Sequence, residues 1–543
     1  MKKLIYSIAM IAVFHGVAMA QSPEELLRFS RHNFSLSSAR SAAMGGAFTS
    51  LGADGITLSL NPAGLAMYSS PEISLSPGLR ISKINASYGP TKGTQGDYTK
   101  PTIGNFAAIY ANGNGWAWGV GMNRLADFSG KYTVTGDYST SSKAFIFRDQ
   151  LEGVSQGSLN GDNAFNRPPA MWNAVMANST WLVNPVQDIP SNTSYSLDNV
   201  INQGDKMASQ LDATTNGAVD EIALSGAYNY DNILYIGVSV GMQSLFYRQG
   251  TTYSEFADLD YNTGSLDSFQ EREDLSLDGF GFNLKVGLTV RPVEWLRIGV
   301  AYHSPTWIAM EEKSVRDMST YLLSATLPRT EYTPDLRQNY SYQTPSRLMA
   351  GASVTIARHV ILSFDYERTW YNKMLYTTNI NQNGWRAPIT PTDIDNNPTI
   401  VGNYMDNRGN INMNGMIHDY YRATNNYRAG IEYQPANGFF LRAGYSYAES
   451  PYAKVESSYK KGSSLSAYDA VEQYSGGVGF RTRRFGIDLT YVYSAHNSLP
   501  SVFYDYVTSY DYDSPAGTRI MPEGNIYKKM IDHNIILTFA WRF

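Results

Sequence analysis

The sequence predicts an all-β fold, a transmembrane antiparallel β-barrel of about 14 strands with a small N-terminal hatch in its lumen. Three observations predict it. Apolar residues recur with a period of two in segments of roughly ten residues, the pattern of a strand with one side in lipid. Connections between these segments alternate between very short and very long. The chain opens with an export signal, yet holds no run of apolar residues long enough for a transmembrane helix. Composition agrees: Tyr is 40 of 543 residues, Gly is 46, and charged residues are only 17%, against about 25% for ordinary globular chains. The formal charge of −5 lacks the concentrated basic face that phosphate binding needs, which argues against nucleic acid. Cysteine is absent, excluding disulfide scaffolds, thiolate metal sites and cysteine nucleophiles.

Met1-Lys2-Lys3 is a basic start, residues 4–17 are mostly apolar, and Ala18-Met19-Ala20 is a small-residue cleavage site. Residues 1–20 therefore read as a secretory signal peptide cleaved near Ala20. Residues 21–71 form the second unit. Ser22-Pro23-Glu24-Glu25 reads as an N-cap, a proline at the first helical position and a carboxylate placed to close a capping box. Small residues then dominate, with turn chemistry at Gly45-Gly46 and Asn61-Pro62-Ala63-Gly64. Fourteen strands enclose a lumen wider than side chains alone fill, and this segment is placed to plug it. Bare of that context, the same residues read as turns or as a linker.

Residues 72–543 are the barrel, with strands at 72–88, 103–112, 116–127, 220–231, 233–248, 276–291, 295–308, 346–357, 359–371, 424–434, 438–450, 471–483, 485–497 and 530–543. In the ninth, Val360, Leu362, Phe364 and Tyr366 alternate with Ser363, Asp365, Glu367 and Thr369. Short turns fall at Gly113–Gly115, Asp231-Asn232, Pro292–Glu294, Arg358, Gln434–Asn437 and Arg484; long outer loops include 128–219, 309–345, 372–423 and 498–529. Tyr302, Trp370, Tyr371, Tyr445, Tyr447, Tyr491 and Tyr493 fit an interfacial aromatic girdle. Trp541 and the terminal Phe543 have the form of a last strand read by barrel-assembly machinery. The stretches 171–183 and 318–327 are apolar and read as helical loop segments.

Ala43-Met44-Gly45-Gly46-Ala47-Phe48 followed by Asn61-Pro62-Ala63-Gly64 resembles the long-chain fatty acid and aromatic hydrocarbon transporters of bacterial outer membranes. Supporting likenesses are Leu441-Arg442-Ala443-Gly444-Tyr445 with Glu449-Ser450-Pro451, residues 297–305, and residues 475–480. The loops 128–219 and 372–423 carry no such likeness. The resemblance implies passive uptake of a hydrophobic small molecule through a hatch-gated apolar pocket, without cofactor. It also implies a Gram-negative outer membrane, surrounding lipopolysaccharide, and a sideways exit at a kinked third strand. Gly45, Gly46, Asn61, Pro62, Ala63 and Gly64 would then gate, and Gly119 and Gly121 would permit the kink. We read the protein as a monomer.

By alternation Lys285, Arg297, Arg428 and Arg442 face the lumen, as do Asp365, Glu367 and Glu432. The cations suit a ligand carboxylate, or else form an ion-pair mesh between neighbouring strands. Catalysis is not indicated. Gly153-Val154-Ser155-Gln156-Gly157 and Gly237-Val238-Ser239-Val240-Gly241 match G-x-S-x-G, but neither lies at the strand-to-helix elbow that chemistry needs. Asp258, Asp260 and Asn262 begin like a calcium loop, but Gly264 comes one place late and Phe269 stands where the closing Glu belongs. No metal site is expected. The competing functional class is a scaffold for protein secretion or assembly that works through hatch and loops.

Overall fold

The computed structural model describes residues 23–88, 95–378 except 160, 162, 163 and 168, 413–454 except 437, 464–502 and 525–543. Residues 1–20, expected as a signal peptide, and most of the expected 372–423 and 498–529 loops lie outside the described residues. The barrel segments are β1 (Glu72–Tyr88), β2 (Gln95–Ala111), β3 (Trp116–Asp127), β4 (Gly130–Ser139), β5 (Met207–Tyr230), β6 (Leu234–Ala257), β7 (Leu266–Val293), β8 (Leu296–His303), β9 (Trp307–Leu322), β10 (Leu336–Gln343), β11 (Arg347–Ile356), β12 (Val360–Trp370), β13 (Ala423–Ala436), β14 (Phe439–Ala448), β15 (Val471–Arg481), β16 (Phe485–Val502) and β17 (Asn525–Arg542). Three staves are each broken into two segments. β3 and β4 both pair with β5, β8 and β9 both pair with β7, and β11 and β10 face β8 and β9 in turn. Fourteen antiparallel staves result, and β17 pairs with both β16 and β1 to close the cylinder. Closure removes the free edges that lipid cannot hydrate.

The period-two pattern sets the two faces. In β12, Leu362 and Phe364 point outward and are exposed, while Asp365, Glu367 and Thr369 are fully buried inside. The outward band (Ile222, Leu224, Val238, Val240, Phe280, Phe282, Leu284, Ile298) is apolar and is bordered at the short-turn end by Trp116, Trp118, Trp295, Phe439 and Trp541. Such a band is what a bilayer requires of a barrel. Tyr302, Tyr445 and Tyr491 belong to this outer face, but Tyr371 does not: it is 5% exposed and packs inside. Just past the end of β12 the chain makes a short helical turn, Tyr371–Lys373, which takes that ring out of the strand alternation.

The long-loop end departs from expectation in a second way. β5, β6 and β7 run for 24, 24 and 28 residues, far beyond the roughly 9–11 that cross a bilayer. Segments 130–139, 207–219, 309–322 and 336–343, expected as loop, are therefore strand. Above the lipid band the outward face turns polar, as with Arg272, Asp274 and Asp278 of β7, so the apolar alternation that marks a lipid-facing strand in sequence disappears. For the same reason 318–327 is not helical; β9 runs through its first five residues. Pro305 and Pro345 sit in the breaks of two adjacent staves, where a missing N–H is tolerated. A cap with its own core sits at this end. Helices α3 (Ala144–Leu151) and α4 (Trp172–Ser179) bury Phe147, Val175, Met176, Leu182 and Val183 against Phe269 and Met318.

Residues 23–68 lie inside the barrel. They comprise α1 (Pro23–Ser30), α2 (Ala39–Ala43) and 3-10 turns at Phe34–Leu36, Gly55–Leu58 and Pro62–Met67. Leu26, Phe29, Phe34, Met44, Phe48, Ile56 and Leu60 are at most 2% exposed. The wall meets this segment with glycines. A Cβ on Gly287 or Gly237 would collide with Asn61 and Pro62, and one on Gly444 or Gly430 with Met44 and Gly45. Gly119 and Gly121 serve the same purpose: they lie in regular ladders and leave room for Leu58 and Leu65. They do not kink β3.

Gly287→Val should therefore push the 61–64 turn off the wall, an overpacking cost on the order of 1–3 kcal/mol. We expect trypsin to cut at Arg40 in the folded variant barrel while the wild type resists, read by mass spectrometry of the released N-terminal peptide.

Candidate functional site

The lumen segment is held by its own turns and by buried charge. Asn61 caps the Pro62–Met67 turn, its Oδ1 accepting from the Ala63 N–H at 3.1 Å. Its Nδ2 donates to the Thr49 carbonyl at 2.6 Å and to Thr289 Oγ1 at 3.3 Å, tying hatch to wall. Gly64 accepts the Ala53 N–H at 3.1 Å, and a side chain there would strike Leu51. Gly45 and Gly46 take φ of +65° and +76° to end α2, with the Gly46 N–H returning to the Ser41 carbonyl at 2.9 Å. His303 Nε2 meets the Leu60 carbonyl at 2.8 Å, and the Thr49 N–H donates to Asp365 at 2.8 Å.

Three of the four candidate lumen cations have carboxylate partners. Lys285 pairs with Glu221, which also accepts from Asn283 at 2.9 Å and Gln243 at 3.0 Å. Arg428 pairs with Glu367, shared with Arg347 at 3.3 Å. Arg442 donates to Glu432 at 2.5 Å and to Asp488 at 2.6 Å. Arg40 of α2 forks onto the same Glu432 at 2.9 and 3.0 Å, and Arg481 reaches Asp488 at 3.1 Å. Five charges thus form one chain from hatch to wall. Arg297 stands apart: its guanidinium lies 3.9 Å from the Met67 sulfur, and among the described residues no carboxylate pairs with it. Trp541 and Phe543 face outward at the barrel seam and take no part in the lumen. Ser155 and Ser239 hydrogen-bond to the carbonyls of Pro190 and Leu58, and neither stands at an elbow.

Between α1 and the wall lies a cavity of about 550 Å³. Its lining is amphipathic, where the resemblance implied an apolar pocket. Leu27, Phe34, Ile84, Phe128, Leu275 and Leu499 share it with Glu24, Arg28, Arg31, Arg80, Asp127 and Lys528. Arg28 donates to the Tyr247 hydroxyl at 2.7 Å, Arg31 to the Asp469 carbonyl at 2.7 Å, and Lys528 lies over the Tyr132 ring at 5.3 Å. Burial raises the α1 carboxyls, Glu24 to about 7 and Glu25 to about 8, against partial relief from Arg28. Burial likewise holds the His32 imidazole well below its ordinary range, helped by Arg347.

One stretch of wall is not stitched. β2 pairs with β1 from Gln95 to Ile109, but with β3 only from Asn105 to Ala111. Past a bulge between Arg124 and Ala126 the stave restarts as β4, which pairs with β5 alone. A seam therefore runs beside 96–104 at the level of the lipid-facing Ile103, and the Leu36 carbonyl sits directly beneath Gly104. Leu36 also lines the cavity. Arg80, Lys100 and Asp127 at this seam were not singled out from sequence. The available signal was Pro101, which cannot donate to a neighbour and so marks an unpaired edge.

No family model and no curated protein matches the chain. Its fold matches solved structures. A FadL homologue of Pseudomonas aeruginosa superposes with a TM-score of 0.50 at 12% identity, covering 93% of this chain and 98% of the other. The Pseudomonas putida toluene transporter TodX gives a TM-score of 0.50 at 13% identity, covering 95% and 99%.

Two outcomes follow from the charges. Arg442→Ala leaves Glu432 and Asp488 short of a buried partner and should destabilise the hatch–wall contact by on the order of 3–5 kcal/mol, seen as a lowered denaturation midpoint of the folded band on unheated gels. Glu24 and Glu25 have folded-state values above their unfolded ones, so the docked helix binds more protons than the free one. Docking of α1 should be strongest below the ordinary carboxylate range and weaken as pH rises through about 7 to 8. Hydrogen exchange of residues 24–30 at graded pH checks this.

Proposed function

We propose that the protein is an outer-membrane channel for passive uptake of hydrophobic molecules, long-chain fatty acids or aromatic compounds. The observation that carries this reading is a cavity inside a lipid-spanning barrel that reaches a seam in the wall at bilayer level. A ligand in that cavity would lie beside the seam, with the lipid-facing wall on its far side. Sideways departure spares an apolar molecule the cost of crossing water, about 25 cal/mol for each Å² of apolar surface. The shared fold with proteins described as hydrocarbon transporters supports the same class.

In this reading residues 23–68 are the hatch, and the Asn61–Gly64 turn, pinned between Thr49 and Thr289, sets whether it is closed. Lys285 and Arg428 brace the wall through Glu221 and Glu367, and Arg442 joins wall to hatch through Glu432, which it shares with Arg40. The amphipathic lining favours ligands with a polar end over bare hydrocarbons. Lys528 is a cation for such an end. A second reading, a docking scaffold, draws on the cap, whose α3 and α4 form a separate core above the barrel.

The deciding experiment titrates the purified barrel with a fluorescent long-chain fatty acid in a chemically unlike detergent, with toluene as competitor. Saturable binding is expected, weakened several-fold by Leu36→Trp, which narrows the cavity. A correctly folded barrel with no saturable binding of either compound would move the scaffold reading ahead.

A further inference from the structure

Among the described residues the seam beside β2 has no main-chain ladder; β4 packs against it near Gly96 and Ile84, and the charged contacts that bridge it gather at one carboxylate. Asp127 ends β3 and its side chain is 1% exposed. From one bank, Arg80 of β1 pairs with this carboxylate and donates to the Asp127 carbonyl at 2.8 Å. Lys100 of β2 lies 4.0 Å from it and donates to Asn216 Oδ1 at 2.7 Å and Ser129 Oγ at 3.1 Å. From the other bank, Arg124 approaches at 3.4 Å and the Ser129 N–H donates at 2.9 Å. The cluster is anchored at both ends: Arg124 forks onto Asp220 of β5 at 2.9 and 3.0 Å, and Arg80 reaches Asp532 of β17 at 2.9 Å.

We propose that Asp127 and its cations are an ionic latch on this seam, closed when paired, and that its release opens the cavity to the bilayer. The inference rests on the uptake reading for its purpose, though not for its test. Charged groups at bilayer depth are expensive and persist where they have work to do. Most other neighbouring staves among the described residues are joined by main-chain ladders, some with a bulge, and those bonds cannot part without leaving polar groups in hydrocarbon. Here the two banks are joined by side chains, which carry their hydrogen-bonding capacity with them when they separate. Arg80 keeps Asp532 and Arg124 keeps Asp220 when the latch opens, so neither guanidinium is stranded. Behind the latch the wall is thin, because Gly104 has no side chain between the lipid-facing surface and Leu36.

The chain has no cysteine, so a single Leu36→Cys reports access to the cavity. The full-length mature barrel carrying it would be reconstituted in phosphatidylcholine vesicles without ligand. It would then be labelled either with a bilayer-dissolved alkyl maleimide or with a charged, water-soluble one. Asp127→Asn should raise labelling by the alkyl reagent several-fold and leave the charged reagent's rate unchanged. Lys100→Met, which keeps the Arg80 pair, should give a smaller rise and serves alone if Asp127→Asn does not reach the folded gel band. Unchanged alkyl labelling in a folded variant, or an equal rise with both reagents, overturns the latch. Because no ligand is present, that result is separate from failure of fatty-acid binding.

Discussion

A closed barrel in lipid must turn its apolar side outward, and this obliges it to put every strand's polar side into the lumen. Charge buried there has to be paired. The Arg40–Glu432–Arg442–Asp488–Arg481 chain meets that requirement and joins the N-terminal segment to the wall in doing so. Glu221 with Lys285, and Glu367 with Arg347 and Arg428, meet it elsewhere. Residues 23–68 thus share their buried charge with the wall.

Steric fit runs alongside the charge. The hatch is built from small residues and short turns because it lies against the wall backbone to backbone, with Gly237 and Gly287 facing Asn61-Pro62 and Gly444 facing Gly45. The residues that hold the hatch are therefore distributed over most of the chain, and the 61–64 turn cannot be understood from its own sequence. The cavity is what remains after this packing. It lies next to α1, whose two raised carboxyls and Arg28 face a mixed wall.

The seam is a stretch where a closed barrel goes without ladder bonds between two staves. Pairing of β2 with β3 stops at Asn105 and Asn123, and the stave resumes as β4 beyond Phe128-Ser129. The ion pairs at Asp127 replace ladder bonds with contacts that separate without orphaning main-chain groups.

How much of this was legible in the sequence depended on how far each signal reaches. Strand alternation is local, so the fourteen staves, the inward Asp365 and Glu367 and the outward Phe364 follow from residues two apart. The lumen cations were legible for the same reason. Alternation faded where the outward face becomes polar, which hid the upper parts of β5 to β7 and of β9, and a turn residue, Tyr371, was misplaced because it lies beyond its strand. Partner choice is not local. That Arg442 meets Glu432 and Arg40, that wall glycines meet Asn61, and that Asp127 joins Arg80 to Lys100 across an unpaired edge depend on the stagger of strands far apart in the chain. The sequence by itself determined which side of each strand faces lipid; only the closed tertiary structure decided which inward charges neutralise one another and where the wall stays unstitched.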